Sequence, residues 1–249
     1  MVKEGSIDME ETIEINGISY RLDILIEKRR NSRASVSRKG IVIRIPHFLG
    51  RQERERQIEE FSKWATKRIM KNPERFSPEK PIIYNDGQKI RSIGEEYFLR
   101  INTGNKAKTT LKMSGNNITV SVPGNLEQEQ QSRIIGKVLN KKLSSVFYDK
   151  IKSKVYDINS KFFRRHIKSV RLKNNKSTWG SCSPGGDITI SSRLLLAPLE
   201  ILDYVIVHEL SHLVVRGHSK KFWSVVEKAV PDYREKRKWL RKNGDSLRF

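Results

Sequence analysis

Three of the chain's five histidines and one carboxylate fall in a single eleven-residue window: His208-Glu209-Leu210-Ser211-His212, then His218. Histidines four apart share one face of a helix, so His208 and His212 can grip one metal ion while Glu209, one position round, reaches a water on it. Gly217 supplies a helix stop, after which the chain can reverse and return His218 as a third ligand. Three protein ligands leave a fourth tetrahedral position for water or substrate, the arrangement of a catalytic rather than a structural zinc.

The segment that must hold these residues is apolar nearly all round: Ile201, Leu202, Val205, Ile206, Val207, Leu210, Leu213, Val214 and Val215. Such a helix is expected to be buried, and a buried, unpaired glutamate costs several kcal/mol. A bound cation with its water compensates Glu209 directly. Pro198 suits the first turn of this helix, Ser219 can cap the next, and a last helix is expected from about Pro231 to Gly244. Upstream, short strands are expected at 170–172 and 188–190, the latter as an edge along which substrate could lie.

The chain has 249 residues, 36% hydrophobic, and a formal net charge of +22. Its mean hydropathy of -0.61 is that of an ordinary water-soluble protein. The first residues are acidic and offer no secretory signal. Segment 194–215 is interrupted by Glu200, Asp203, His208, Glu209 and His212, which argues against a membrane span of about 20 apolar residues. One cysteine, Cys182, excludes an intrachain disulfide. A cytoplasmic protein with no membrane association is expected. Residues 159–186 contain no acidic side chain, while Lys161, Arg164, Arg165, Lys168, Arg171, Lys173 and Lys176 are all present. This run is a candidate surface for nucleic-acid phosphates, with a solvated basic face as the plainer alternative.

Residues 1–157 read as two copies of one layout: strand, turn, strand ending in proline, amphipathic helix. The segment Ile41-Val42-Ile43-Arg44-Ile45-Pro46 matches Ile118-Thr119-Val120-Ser121-Val122-Pro123, and a proline-rich linker at 72–89 separates the copies. Further strands are expected at 14–26 and 97–101. The first helix should bury Ile58, Phe61, Ala65 and Ile69; the second, from about Glu127 to Asp157, should bury Ile134, Val138, Val146, Phe147, Ile151 and Val155.

The ordered set Trp179-Gly180-Ser181-Cys182-Ser183, Ala197-Pro198, His208-Glu209-Leu210-Ser211-His212-Leu213, His218-Ser219, Phe222-Trp223, Pro231-Asp232-Tyr233 and Trp239-Leu240 resembles the YgjP-like metallopeptidase family of zincin-type hydrolases. The resemblance is strong over 170–240 and looser before it. It implies zinc on His208, His212 and His218, with Glu209 catalytic. Thr178 stands where the family often has arginine, and Ser191 where asparagine is usual. The His-Ser-x-x-Phe-Trp continuation is also similar to the Wss-like and SprT-like proteases that act on proteins bound to DNA. Metzincins want a glycine where Val215 stands and a later methionine turn, yet no methionine follows Met113.

The expected fold is α+β: a β-rich N-terminal region with two amphipathic helices (1–157), then a zincin-like catalytic domain (158–249) with its metal-binding motif on a buried helix. The expected reaction is hydrolysis of a peptide or protein by a zinc-activated water, with Glu209 as general base. Tyr204, Arg216 and Tyr233 could assist the oxyanion, and Asp203 or Glu227 could orient a ligand histidine. Three rivals are a cysteine hydrolase using Cys182, a hydrolase of a phosphorylated small molecule such as a nucleotide, and a nucleic-acid-binding module whose metal only stabilises the fold.

Overall fold

A computed structural model describes residues 9–77, 81–104, 108–175 and 177–249. The acidic stretch 1–8, Pro78 of the linker and Lys176 of the basic run lie outside them. The architecture is mixed α+β, and contacts divide the chain between Lys80 and Pro81. The boundary expected at 157/158 falls within the second of these units.

In the first unit, β1 (Met9–Ile15), β2 (Ile18–Glu27), β3 (Arg33–Ser37) and β4 (Gly40–Pro46) form a sheet of order β1-β2-β4-β3. The central β2 and β4 run parallel, and each outer strand joins its neighbour as a hairpin. The single strand expected at 14–26 is thus two. Asn16 and Gly17 take φ of 53° and 73° and make the tight hairpin turn that Asn-Gly favours. Alternation sends Tyr20, Leu22, Ile24, Ile41, Ile43 and Ile45 inward. Helix α1 (Arg51–Lys71) covers them with Ala65 and Ile69, Ile58 and Phe61 packing alongside, and the short α2 (Pro73–Phe76) follows.

The second unit opens with β5 (Lys89–Ser92), β6 (Glu95–Gly104), β7 (Thr110–Ser114), β8 (Asn117–Pro123) and helix α3 (Gln128–Ile158). Its order, β5-β6-β8-β7, again has a parallel central pair. The starts Ile18 and Glu95, Gly40 and Asn117, and Arg51 and Gln128 are each 77 residues apart. At the position of Asn16-Gly17 stands Ile93-Gly94, also with positive φ (51° and 79°). A β-branched residue there is strained. Its N–H donates to the Leu195 carbonyl at 2.9 Å and its side chain is buried, which anchors this turn next to the region that carries the site.

A three-stranded sheet follows: β9 (Ser169–Lys173), β10 (Gly180–Cys182) and β11 (Asp187–Ser191), ordered β10-β11-β9. The segment 188–190 is therefore central, paired with β10 on one side and β9 on the other, and among the described residues the edge strand beside the site is β10. Helices α4 (Leu199–Ser211), α5 (Lys220–Ala229) and α6 (Tyr233–Asn243) complete the unit. Its core joins Leu139, Leu143, Phe147 and Ile151 of α3 to Ile188 and Ile190 of β11 and to Ile201, Ile206 and Leu210 of α4. On α3 the buried stripe runs Ile135, Leu139, Leu143, Phe147 rather than through Ile134, and Val146 is exposed. Among the described residues, no helix is long and apolar enough to cross a membrane.

Leu210 has no exposed surface and sits between Glu209 and Ser211 on α4. Leu210→Ala is expected to cost about 2–5 kcal/mol of stability through the lost contacts and the cavity left behind. Denaturant unfolding checks it; a cost below about 1 kcal/mol would contradict the packing described.

Candidate metal centre and active site

Helix α4 starts after Pro198, its N-cap, and ends at Ser211, with His212 as the C-cap in helical conformation. This is earlier than a stop at Gly217 would give. The chain then tightens, Leu213 N–H donating to the Leu210 carbonyl and Val214 N–H to that of Ser211. Gly217 takes φ +75°, a left-handed conformation suited to glycine, and the chain reverses to present His218. Ser219 fixes the far side of the turn, its hydroxyl accepting from Phe222 N–H at the start of α5.

One ring nitrogen from each of His208, His212 and His218 lies within 4.8 Å of the others. The Nε2 atoms of His208 and His218 are 3.1 Å apart. Phe222, fully buried, packs against all three rings at centroid distances of 5.0, 4.6 and 4.8 Å. Trp223 packs on His208 and His218 and stacks on Tyr233 at 5.1 Å. Both aromatics join the hydrophobic core of this unit to the histidine rings. The signal for this was their spacing from His218, which sets them on the first turn of the next helix.

Burial, reinforced by the neighbouring histidines and Arg237, pushes His208 down to about 3. His212 is lowered by burial and by His218, against a hydrogen bond to the Val215 backbone that raises it. Both rings are therefore neutral at ordinary pH and keep a lone pair for a cation. Convergent ring nitrogens, those of His208 and His218 3.1 Å apart, fit a divalent metal better than they fit one another.

Glu209 is 6% exposed, and burial pushes its carboxyl up to about 7. Its side chain lies against the α-carbon of Gly180: a β-carbon there would stand 2.6 Å from Glu209 Cγ and 2.7 Å from Oε1. The glycine of the Trp-Gly-Ser-Cys stretch thus makes room for the carboxylate. Cys182, two residues on, is pushed up to about 11 by burial and by Glu209. It stays a thiol at neutral pH, which removes the basis for a cysteine nucleophile.

Glu209 and His208 line a cavity of about 650 Å³ with Trp179, Gly180, Tyr204 and, from α6, Arg237 and Arg241. Among the oxyanion candidates, Tyr204 lines this cavity, and burial raises its pKa, so its hydroxyl remains a donor. The Tyr233 hydroxyl instead accepts from Arg234 Nε at 3.2 Å, and Arg216 is exposed beside Cys182. Asp203 pairs with Lys154 Nζ of α3 at 2.8 Å, and exposed Glu227 acts on Arg234, so neither orients a histidine. None of the described members of the basic run lines the cavity. Lys161 lies over Phe162 in a π-helical turn, Arg164 is its left-handed cap, Arg165 N–H bonds the Asn159 side chain, Lys168 N–H bonds the Gly186 carbonyl, and Arg171 and Lys173 face outward on β9. Thr178 lines the cavity, whereas Ser191 is buried and donates to the Asn175 carbonyl.

Converging histidines beside a buried glutamate are the outline of a metallohydrolase. The sequence pattern of the YgjP-like metallopeptidase domain matches residues 30–243, and the chain belongs to that family of metal-dependent peptidases. Two solved structures show similarity. The abylysin zymogen of Pyrococcus abyssi, a metallopeptidase, is 25% identical over 37% of this chain and 93% of that one, with a TM-score of 0.34. The jannalysin zymogen of Methanocaldococcus jannaschii, also a metallopeptidase, is 21% identical over 37% and 94%, with a TM-score of 0.33. No curated protein matches the chain.

Gly180→Ala is expected to displace the Glu209 carboxylate while leaving the three histidines in place, at a cost of about 1–3 kcal/mol from overpacking. A crystal structure of the variant with Glu209 unmoved would contradict the contact.

Proposed function

We propose that the metal is zinc, held by His208, His212 and His218, and that Glu209 is the general base of peptide-bond hydrolysis. The observation that carries this reading is the convergence of three ring nitrogens within 4.8 Å beside the cavity that Glu209 lines. Zinc bound there supplies Lewis acidity, polarising a scissile carbonyl and acidifying a water. The Glu209 carboxylate takes a proton from the attacking water as the new C–O bond forms, then delivers it to the amide nitrogen as the C–N bond breaks. Its burial raises its proton affinity and suits it to that relay. The Tyr204 hydroxyl donates toward the developing oxyanion. A substrate strand adds to the free edge of β10, whose Gly180 lines the cavity. Residues 158–249 form the catalytic segment proper, with α3 packed behind α4.

Glu209→Gln is expected to keep stoichiometric zinc while kcat falls about 10²–10⁴-fold, the usual worth of a general base. His212→Ala should lose zinc and turnover together. Metal analysis and a peptide-library cleavage assay read both, and full activity in Glu209→Gln would overturn the mechanism.

A further inference from the structure

We infer that the catalytic cavity carries a carboxylate subsite formed by Arg237 and Arg241, so that this enzyme selects peptides offering an acidic side chain or a free C-terminus beside the cut. The inference rests on the reading of this cavity as the place where peptide is cleaved.

The two arginines are four residues apart on α6, one turn along the same helix face, and they line the cavity together with His208 and Glu209. Some of the chain's cations are balanced locally: Arg51 pairs with Glu55, Arg56 with Glu53 and Glu60, Arg133 with Glu129, and on α6 itself Lys236 pairs with Asp232. With 50 Lys and Arg against 28 Asp and Glu, many others are not, and what distinguishes Arg237 and Arg241 is the cavity they line. Neither Arg237 nor Arg241 has an ion pair or hydrogen bond among the described residues. The cavity therefore presents two uncompensated guanidinium groups. Its one carboxylate is Glu209, which burial pushes up to about 7.

The wall that carries them is held in place. The Arg237 guanidinium carbon lies 5.0 Å over the Trp223 ring, and that ring stacks on Tyr233. This cation-π contact uses no N–H bond, and the guanidinium keeps its donors for the two parallel bonds a carboxylate accepts. Beyond Arg241, the end of α6 is pinned by Arg193, which donates to the carbonyls of Gly244 at 2.7 Å and Leu247 at 2.6 Å while lying 4.3 Å over Trp179. Gly244 fits tightly against Trp179, where a β-carbon would approach to 2.5 Å. Trp179 in turn lines the cavity, so the helix end and the opposite wall are joined by packing. The contact with Trp223 steadies one of these two exposed cations next to the reacting centre, and a steadied cation orients an anionic group at lower entropic cost.

A carboxylate can come from an Asp or Glu side chain or from the end of the substrate chain, and one peptide set separates the two. Internally quenched peptides differing only in Glu against Gln at successive positions, each with a free or an amidated C-terminus, are assayed with the full zinc-loaded chain. The wild type should show a kcat/KM ratio of roughly tenfold or more for the carboxylate over its neutral match, the usual scale for hydrogen bonds to a charged group. Dependence on position assigns the side chain, and dependence on amidation assigns the terminus. In Arg241→Gln, and in the Arg237→Gln/Arg241→Gln double variant, that ratio should fall to about one, with the change in KM. A wild-type ratio near one in every peptide, a ratio that survives the double variant, or a preference for phosphoserine over glutamate would overturn the inference. Peptide affinity is measured in parallel with zinc-loaded Glu209→Gln, by tryptophan fluorescence, to which Trp179 of the cavity contributes, with and without Arg241→Gln. An inactive wild type that still binds carboxylate peptides through Arg241 contradicts the proposed reaction and leaves the subsite standing; equal Kd for acidic and neutral peptides removes the subsite.

Discussion

Glu209 is a buried carboxyl group pressed against the backbone of a neighbouring strand, on a helix whose other buried side chains are mostly hydrocarbon, and this constraint shapes the elements around it. A buried carboxylate without a partner costs several kcal/mol, so its surroundings must either keep it protonated or provide a cation. Both responses are visible. Burial pushes the carboxyl up to about 7, and three histidines converge beside it, with His208 held neutral far below its usual range. The demand reaches β10 as well, because Gly180 alone leaves room for the Glu209 side chain.

The cost is offset by packing. Ile201, Leu202, Ile206 and Leu210 of α4 are almost fully buried against α3 and β11, which fixes the helix before its polar residues are considered. Phe222 then supports all three histidine rings, and its position depends on the reversal at Gly217 and the cap at Ser219. The site is thus assembled from a short stretch of chain, 208–223, and braced by more distant residues: Trp179, Tyr233 and the end of α6. That division explains how a compact motif becomes a cavity with a defined charged wall.

What was legible in the sequence follows the same division. Helical spacing reveals His208, Glu209 and His212 because one turn of helix is enough to bring them together, and the strand-strand-helix layout is visible because its alternation is local. The centre of the last sheet was not legible. Whether 188–190 is edge or interior depends on pairing with Gly180–Cys182, a contact set by the turn at 183–186 rather than by the strand's own residues. Asp203 read as a partner for a histidine, yet its position on α4 turns it toward Lys154 of α3. On α3 an apolar residue stands at both 134 and 135, and only packing decides which is buried. Arg237 and Arg241 are indistinguishable in sequence from the basic residues around them; their meaning comes from the cavity they line.

The central claim is that three histidines hold a catalytic metal with one position left for water or substrate. X-ray absorption at the zinc edge on the metal-loaded chain tests it most directly. The account predicts three imidazole nitrogens at about 2.0–2.1 Å and one further light atom from solvent. A fourth protein ligand closing the site, a sulfur from Cys182 at about 2.3 Å, or a spectrum unchanged by removing His218 would contradict it.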